Sequence, residues 1–208
     1  MKQKNPKGQG SNGKVDKTKV PNKTIGPIAN LEQHLQPDWW KRIFNSMYLK
    51  TDADVVEDNQ ITKTEVDLFE EILNIKEGDT LLDLACGQGR HLIELQSRKN
   101  YNLYGLDRSR YLIQRAKNIS KKKGLSINLK EGDARKLPYP ADTFDFVTNL
   151  GNSFGYFETV DDDDTKILNE IFRVLKPGGL LLMEIADGDF LRNNYTPRSW
   201  EWIDQKHF

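Results

Sequence analysis

At 208 residues the chain is long enough for one α/β domain with a real core and short for two. Its 31 basic and 31 acidic side chains cancel, which removes any global electrostatic case for nucleic acid or an anionic membrane surface as a partner. The single cysteine, Cys86, excludes an internal disulfide, and neither a membrane-length apolar run nor an apolar signal core is found; the expectation is a soluble, cytoplasmic protein.

In chain order, residues 1–27 carry seven lysines, one acid (Asp16) and almost no large apolar groups. Such a segment does not bury enough to offset its ordering entropy, so a disordered basic tail is expected. Its lysines raise a nucleic-acid or lipid reading, against which a solvated tail is the plainer account. Residues 28–60 bring Trp39, Trp40, Phe44 and Tyr48. Asp38 after Pro37, with Trp40, Ile43, Phe44 and Met47 near helical spacing, predicts a helix there, packed on the core or closing over a ligand. Residues 64–75 read as an amphipathic helix with Val66, Phe69, Ile72 and Leu73 inward.

The organising stretch runs from Thr80 to Arg90, an apolar run of strand length followed by Gly87 and Gly89, with a helical pattern (Leu92, Ile93, Leu95) directly after. Strand, glycine turn and helix in that order build a mononucleotide-type site. The two glycines let backbone approach a ligand and take up positive φ at little steric cost. The following helix aims its unpaired N–H groups at an anionic group. A dinucleotide fingerprint wants a third glycine where Leu92 stands, which disfavours a plain nicotinamide site. Asp83, at the end of a buried parallel strand, needs a donor or cation, and a ligand's free α-amino group would supply one.

A second strand over 101–106 ends at Asp107. Ser109 is the more natural cap for the next helix, which leaves Asp107 free. That helix, 109–124, has Leu112, Ile113, Ala116 and Ile119 inward, Lys121–Lys123 complementing its dipole and Gly124 ending it. A third strand over 126–131 runs into Gly132-Asp133-Ala134-Arg135, and a fourth over 144–150 into an aromatic loop, 151–157. Asp161–Asp164 open a helix as dipole complement and cap rather than as a metal site, with Ile167, Leu168, Ile171, Val174 and Leu175 inward. Lys176-Pro177-Gly178-Gly179 ends that helix and a fifth strand follows over 180–185.

The segment Asp83-Leu84-Ala85-Cys86-Gly87-Gln88-Gly89-Arg90-His91 resembles the first motif of class I S-adenosylmethionine-dependent methyltransferases, closest to the small-molecule branch of the type 11/25-like kind. The Gly-Asp-Ala-Arg and Arg-Val-Leu-Lys-Pro-Gly-Gly segments are also similar to that family, and the resemblance runs from about Thr64 to about Asp187. It implies a Rossmann-like doubly wound α/β sheet in the order 3-2-1-4-5-7-6. Only five strands are found, so residues 61–208 read as a carboxyl-terminally incomplete methyltransferase domain, with 28–60 as a helical lid. A truncated form of a longer enzyme is the favoured explanation. The alternative is a homo-oligomer through the strand-five edge.

The resemblance also implies S-adenosylmethionine as cofactor. Asp83, Ala85, Gly87, Gly89 and Arg90 would meet its amino-acid end, Asp107 and Arg108 its ribose, Asp133 and Ala134 its adenine, and Asn149 the reaction side. Tyr48, Asn152, Ser153 and Tyr156 would contact the acceptor. No residue stands out as a general base, and His91 is expected in a surface or packing role. Three readings follow. They are a small-molecule methyltransferase, a cofactor binder without catalysis, and a nucleic-acid methyltransferase recruited by the lysine tail. The last is disfavoured because Asn149-Leu150-Gly151-Asn152 stands where an Asn-Pro-Pro-Tyr-like motif would be.

Overall fold

A computed structural model describes residues 40–151, 153–155, 163–194 and 196. The tail, Trp39, Asn152, Tyr156 and the terminal aromatics lie outside the described residues. Three short helices come first, α1 (Trp40–Ile43), α2 (Tyr48–Thr51) and α3 (Ala53–Val56). The single helix expected over Trp40–Met47 is thus broken, with Asn45 accepting the Met47 amide at 2.7 Å in the intervening turn.

Helix α4 (Asn59–Leu73) starts earlier than expected because Asp58 caps it, its Oδ1 accepting the Gln60 and Ile61 amides. Its buried stripe is Thr62, Val66, Phe69 and Leu73. Ile72, expected inward, is exposed, because Leu73 already takes the core-facing place and its neighbour lies about 100° round the helix.

The sheet holds β1 (Thr80–Leu84), β2 (Asn102–Asp107), β3 (Asn128–Glu131), β4 (Phe144–Asn149) and β5 (Leu175–Met183). They lie in the order β3-β2-β1-β4-β5, all parallel. Helices α5 (Arg90–Arg98), α6 (Arg110–Lys123) and α7 (Asp163–Val174) make the crossovers, and α8 (Gly188–Asn194) follows β5. One core lies beneath α4, α5 and α6, where Val66, Phe69, Leu92, Ile113 and Ala116 meet Leu81, Leu103 and Leu129. The other lies beneath α7, where Ile167, Ile171 and Val174 meet Leu82, Leu84, Leu106 and Phe144. Alternation along β1 sends Leu82 and Leu84 to the α7 side and Leu81 to the other. Both faces are covered, as parallel sheets require.

Two further expectations are corrected. Leu168 is exposed, since Ile167, Ile171 and Val174 already fill the inward stripe of α7. The segment Lys176–Gly179 belongs to β5 rather than only ending the helix. Pairing runs from Phe144↔Leu175 to Phe146↔Leu180, so the four residues between Leu175 and Leu180 bulge, with Gly178 at φ +82. As the sheet edge, β5 leaves Leu180 and Leu181 exposed. Among the described residues no helix is long and apolar enough to cross a membrane.

The chain moves outward from β1 to β2 and β3, then returns to place β4 on the other side of β1. The switch point lies between the carboxyl ends of β1 and β4, where open α/β sheets form their crevice.

Candidate functional site

At that switch point the backbone after β1 turns through three left-handed residues, Ala85 at φ +61, Gly87 at φ +55 and Gly89 at φ +72. The bend is strapped to the tip of β2. Leu106 O accepts the amides of Ala85 (2.8 Å) and Cys86 (3.1 Å), and Asp107 Oδ2 accepts that of Gly87 at 2.7 Å. Gly89 forms the amino-terminal boundary of α5. A Cβ there would meet Ala116 Cβ at a tight 3.3 Å, so packing as well as φ favours glycine.

Two chambers open above the bend and share the walls of Tyr48, Asp52, Ala85, Gly87, Gly151 and Ser153. The first is mainly apolar, closed by Trp40, Phe44, Leu106, Leu112, Ala134, Phe154 and Ile167, with Asp107, Arg108, Asp133 and Asn149 on its rim. The second is polar, with Glu65, Asp83, Arg90, His91 and Glu184 around it.

Asp83 is 3% exposed. Its Oδ1 accepts the Thr148 hydroxyl at 2.9 Å, while Oδ2 has no partner. Burial raises its pKa against the opposing field of His91 and the Thr148 bond. Asp107 was expected to be free of structural work. Ser109 does cap α6, accepting the Leu112 amide at 3.1 Å, yet the Asp107 carboxylate accepts both Gly87 N and Ser109 N (2.6 Å). A buried carboxylate beside two unpaired amides takes them. Burial still raises its pKa, opposed by those two bonds and reinforced by Asp83.

Asp133 was expected as an open acceptor. Instead its two oxygens take bonds from Arg135 Nε (2.9 Å), Arg135 Nη2 (2.6 Å) and Arg108 Nη1 (2.6 Å). The Arg135 bonds chiefly hold it at a pKa of about 2. Arg135 also reaches Asp163 at 2.7 Å, so the first acid of α7 is a buried ion-pair partner, shared with Lys166. Arg108 stacks over the Trp40 ring at 4.5 Å. Arg90, expected near a ligand carboxylate, is bound instead to Glu65 and Thr62 of α4 while still bordering the polar chamber. His91 is buried in a packing role, edge-on to Phe69 and 2.9 Å from Glu65 Oε2.

Asn149 donates to Leu84 O at 2.9 Å and leaves its buried Oδ1 without a partner. Ser153 donates to Leu150 O at 2.7 Å. Asn152 and Tyr156 are outside the described residues.

Sequence reasoning missed Asp52, Glu65 and Gln88. Gln88 donates to Val56 O at 2.7 Å and accepts from Arg115 at 2.6 Å, binding α3 to the glycine bend. These partners lie 25 or more residues apart in sequence, so no local pattern announces them.

The parallel strand order and the bend at the switch point define a Rossmann-like α/β domain. Residues 81–179 match the methyltransferase domain family. A sterol 24-C-methyltransferase from Pneumocystis carinii is 39% identical over 108 residues, 51% of this chain and 27% of the relative. A demethylmenaquinone methyltransferase from Lactobacillus johnsonii is 41% identical over 115 residues, 51% of this chain and 43% of the relative. The chain therefore spans less than half of these relatives. A solved protein from Pyrococcus horikoshii superposes with a TM-score of 0.62 at 27% identity, covering 78% of this chain and 76% of that one.

Proposed function

We propose that the chain binds S-adenosylmethionine across the two chambers and directs its methyl group to a small-molecule acceptor. The observation that carries this reading is Asp83 Oδ2, a buried carboxylate oxygen with no partner beside the glycine bend. A cationic amino group is the partner that makes such a charge tolerable. The apolar chamber fits an adenosyl group, with Trp40, Leu112 and Ala134 as walls for the base. Asp107 keeps lone pairs beyond its two backbone bonds, and those can accept a ribose diol. Ala85, Gly87 and Gly89 let backbone lie close to the ligand. Arg90 acts through Glu65, and Arg108 and Asp133 act as a pair that holds Trp40 over the chamber. Tyr48, Ser153, Asn152 and Tyr156 are assigned to the acceptor side.

Bound S-adenosylmethionine supplies an electrophilic methyl carbon on sulfur and a neutral leaving group. The chain's own task is orientation and exclusion of water, which supply much of the acceleration in such a displacement. Residues 28–60 serve as the lid over 61–208. Gln88 bonded to Val56 O, Ser109 bonded to Phe44 O and Arg115 bonded to Glu57 are ties that support this for its described part, 40–60. The relatives' names, a sterol and a quinone methyltransferase, support a small-molecule acceptor over nucleic acid. A cytoplasmic setting completes the reading.

Calorimetry with S-adenosylmethionine and its demethylated product, on wild type and Asp107→Ala, tests it. Binding by wild type and loss in the variant are expected. No binding by wild type would overturn the proposal.

A further inference from the structure

We infer that Arg115 is a positioning residue for donor binding: through the Gln88 amide it clamps α3 to the glycine bend and so sets one wall of the polar chamber. This rests on the reading that the donor's nucleoside half fills the apolar chamber while its amino-acid end lies in the polar one beside Asp83.

Apolar burial secures the segment before α4 only weakly, since Leu49 alone is buried among residues 40–57. Such a segment opens easily unless polar ties hold it. The tie at its carboxyl end joins three elements. Arg115, on α6, donates from Nε to Gln88 Oε1 at 2.6 Å. Gln88, between the two glycines of the bend, donates from Nε2 to Val56 O at 2.7 Å. Arg115 Nη2 also reaches the end of α3 directly, at Glu57 Oε1, 2.9 Å away.

The order of these bonds follows from their chemistry. A guanidinium only donates, so it takes the amide oxygen of Gln88 and leaves the NH2 group facing α3. There it meets a carbonyl at a helix carboxyl end, where carbonyls have no intrahelical partner. Without Arg115 the amide is free to turn its oxygen toward Val56 O, where two acceptors oppose each other. The ion pair of Arg115 with Glu57 is exposed and contributes little by itself. Gln88 is buried, so the clamp's strength lies in the amide.

The two chambers feel this clamp unequally. Val55 and Val56 of α3 line the polar chamber together with Gln88 and Asp83. Neither α3 nor Gln88 lines the apolar chamber. That chamber's walls from this segment are Trp40, Phe44, Tyr48 and Asp52, tied at the other end by Ser109 bonded to Phe44 O. Loss of the clamp therefore loosens the amino-acid end of the donor and spares the nucleoside end. A residue that served stability alone would weaken both alike.

The test uses calorimetry on the full chain with two ligands, S-adenosylhomocysteine and 5′-methylthioadenosine, which lacks the amino-acid end. Arg115→Met is expected to weaken the first about tenfold and the second by less than about twofold. Gln88→Met should do the same, and the double variant should be no weaker than either single, because one clamp is removed in all three. Amides of residues 53–57 should exchange faster in each variant while those of β1 and β2 hold. Equal losses for both ligands, unchanged affinity for both, additive losses in the double variant or unchanged exchange at 53–57 each overturn the inference and leave the donor site standing. Wild type that binds neither ligand brings down the donor reading, and this inference with it.

Discussion

Asp107 accepts the amide of Gly87 at 2.7 Å, so the tip of β2 holds the glycine bend that leaves β1. The same carboxylate accepts the Ser109 amide at the start of α6. One side chain thus fixes two pieces of backbone around the apolar chamber while bordering it. Hydrogen bonds to a charged acceptor contribute about 1.5–3 kcal/mol each. Asp107→Ala is therefore expected to lower the thermal midpoint by several degrees and to abolish donor binding. Circular-dichroism melting and calorimetry read the two effects separately. Wild-type affinity in a variant that melts early would show that the carboxylate holds the bend and touches no ligand.

Asp83 gives a prediction with a definite sign. Burial raises its folded pKa above the ordinary 3.8, so the folded state binds the proton more tightly than the unfolded chain. The stability this contributes is present below pH 3.8 and is lost as pH rises through the folded value. Burial makes ionisation of the unliganded group costly. Urea unfolding of wild type and Asp83→Asn should show wild type losing ground to the variant as pH rises from about 4 to 8. Affinity for S-adenosylmethionine should move oppositely, falling at least about tenfold in Asp83→Asn and weakening in wild type toward acid pH. A pH-independent gap in stability would mean that the carboxyl is neutral or solvated throughout.

Ser109 joins the helix cap to the amino-terminal segment. Its Oγ accepts the Leu112 amide and donates to Phe44 O at 2.6 Å. Ser109→Ala should cost about 1 kcal/mol through the lost cap. It should also release the Phe44 turn, so that amides of residues 47–52 exchange faster while those of β1 and β2 do not. Donor affinity should fall with the exchange protection, and Ser109→Thr should restore both. Unchanged exchange at 47–52 would dissociate Ser109 from the lid.

Much of this site was legible because its anchors fall where chain pattern and topology coincide. Asp83, Asp107 and Asn149 lie at or next to the carboxyl ends of β1, β2 and β4, and parallel strands bring such ends together. The glycines announced the bend. What stayed hidden is of another kind. Gly105, in mid-strand, gave no signal, yet a Cβ on it would lie 2.7 Å from Leu92 Cδ1 and Leu129 Cδ2. Ile72 and Leu168 were misplaced because two neighbouring apolar residues cannot both face one core, and the sequence does not say which does. The Arg108 bond to Asp133 and the Gly87 bond to Asp107 come from elements packed in space, and spacing along the chain carries no trace of them.

Glu65 is the clearest case of such hidden control. It projects from α4 to bind Arg90 and His91 at the start of α5, the helix that the glycine bend begins. Burial alone would raise its carboxyl, but bonds from His91 and then Arg90 win and hold its pKa at about 2, below the usual 4.5. A depressed folded pKa means the stabilisation is fully present above pH 4.5 and drains away as pH falls toward 2. Because the side chain is about a third exposed, solvent screening reduces the net contribution to about 1–2 kcal/mol. Glu65→Gln should therefore be less stable than wild type near pH 7 by that amount, and the two should converge by pH 2–3 in acid-unfolding curves. The substitution also frees Arg90 beside the polar chamber, where its charge opposes the donor's amino group at Asp83. Donor affinity should drop in Glu65→Gln even at temperatures where the protein is fully folded, and added salt should partly restore it. A variant that loses stability but keeps its affinity at all salt concentrations would confine Glu65 to joining α4 and α5.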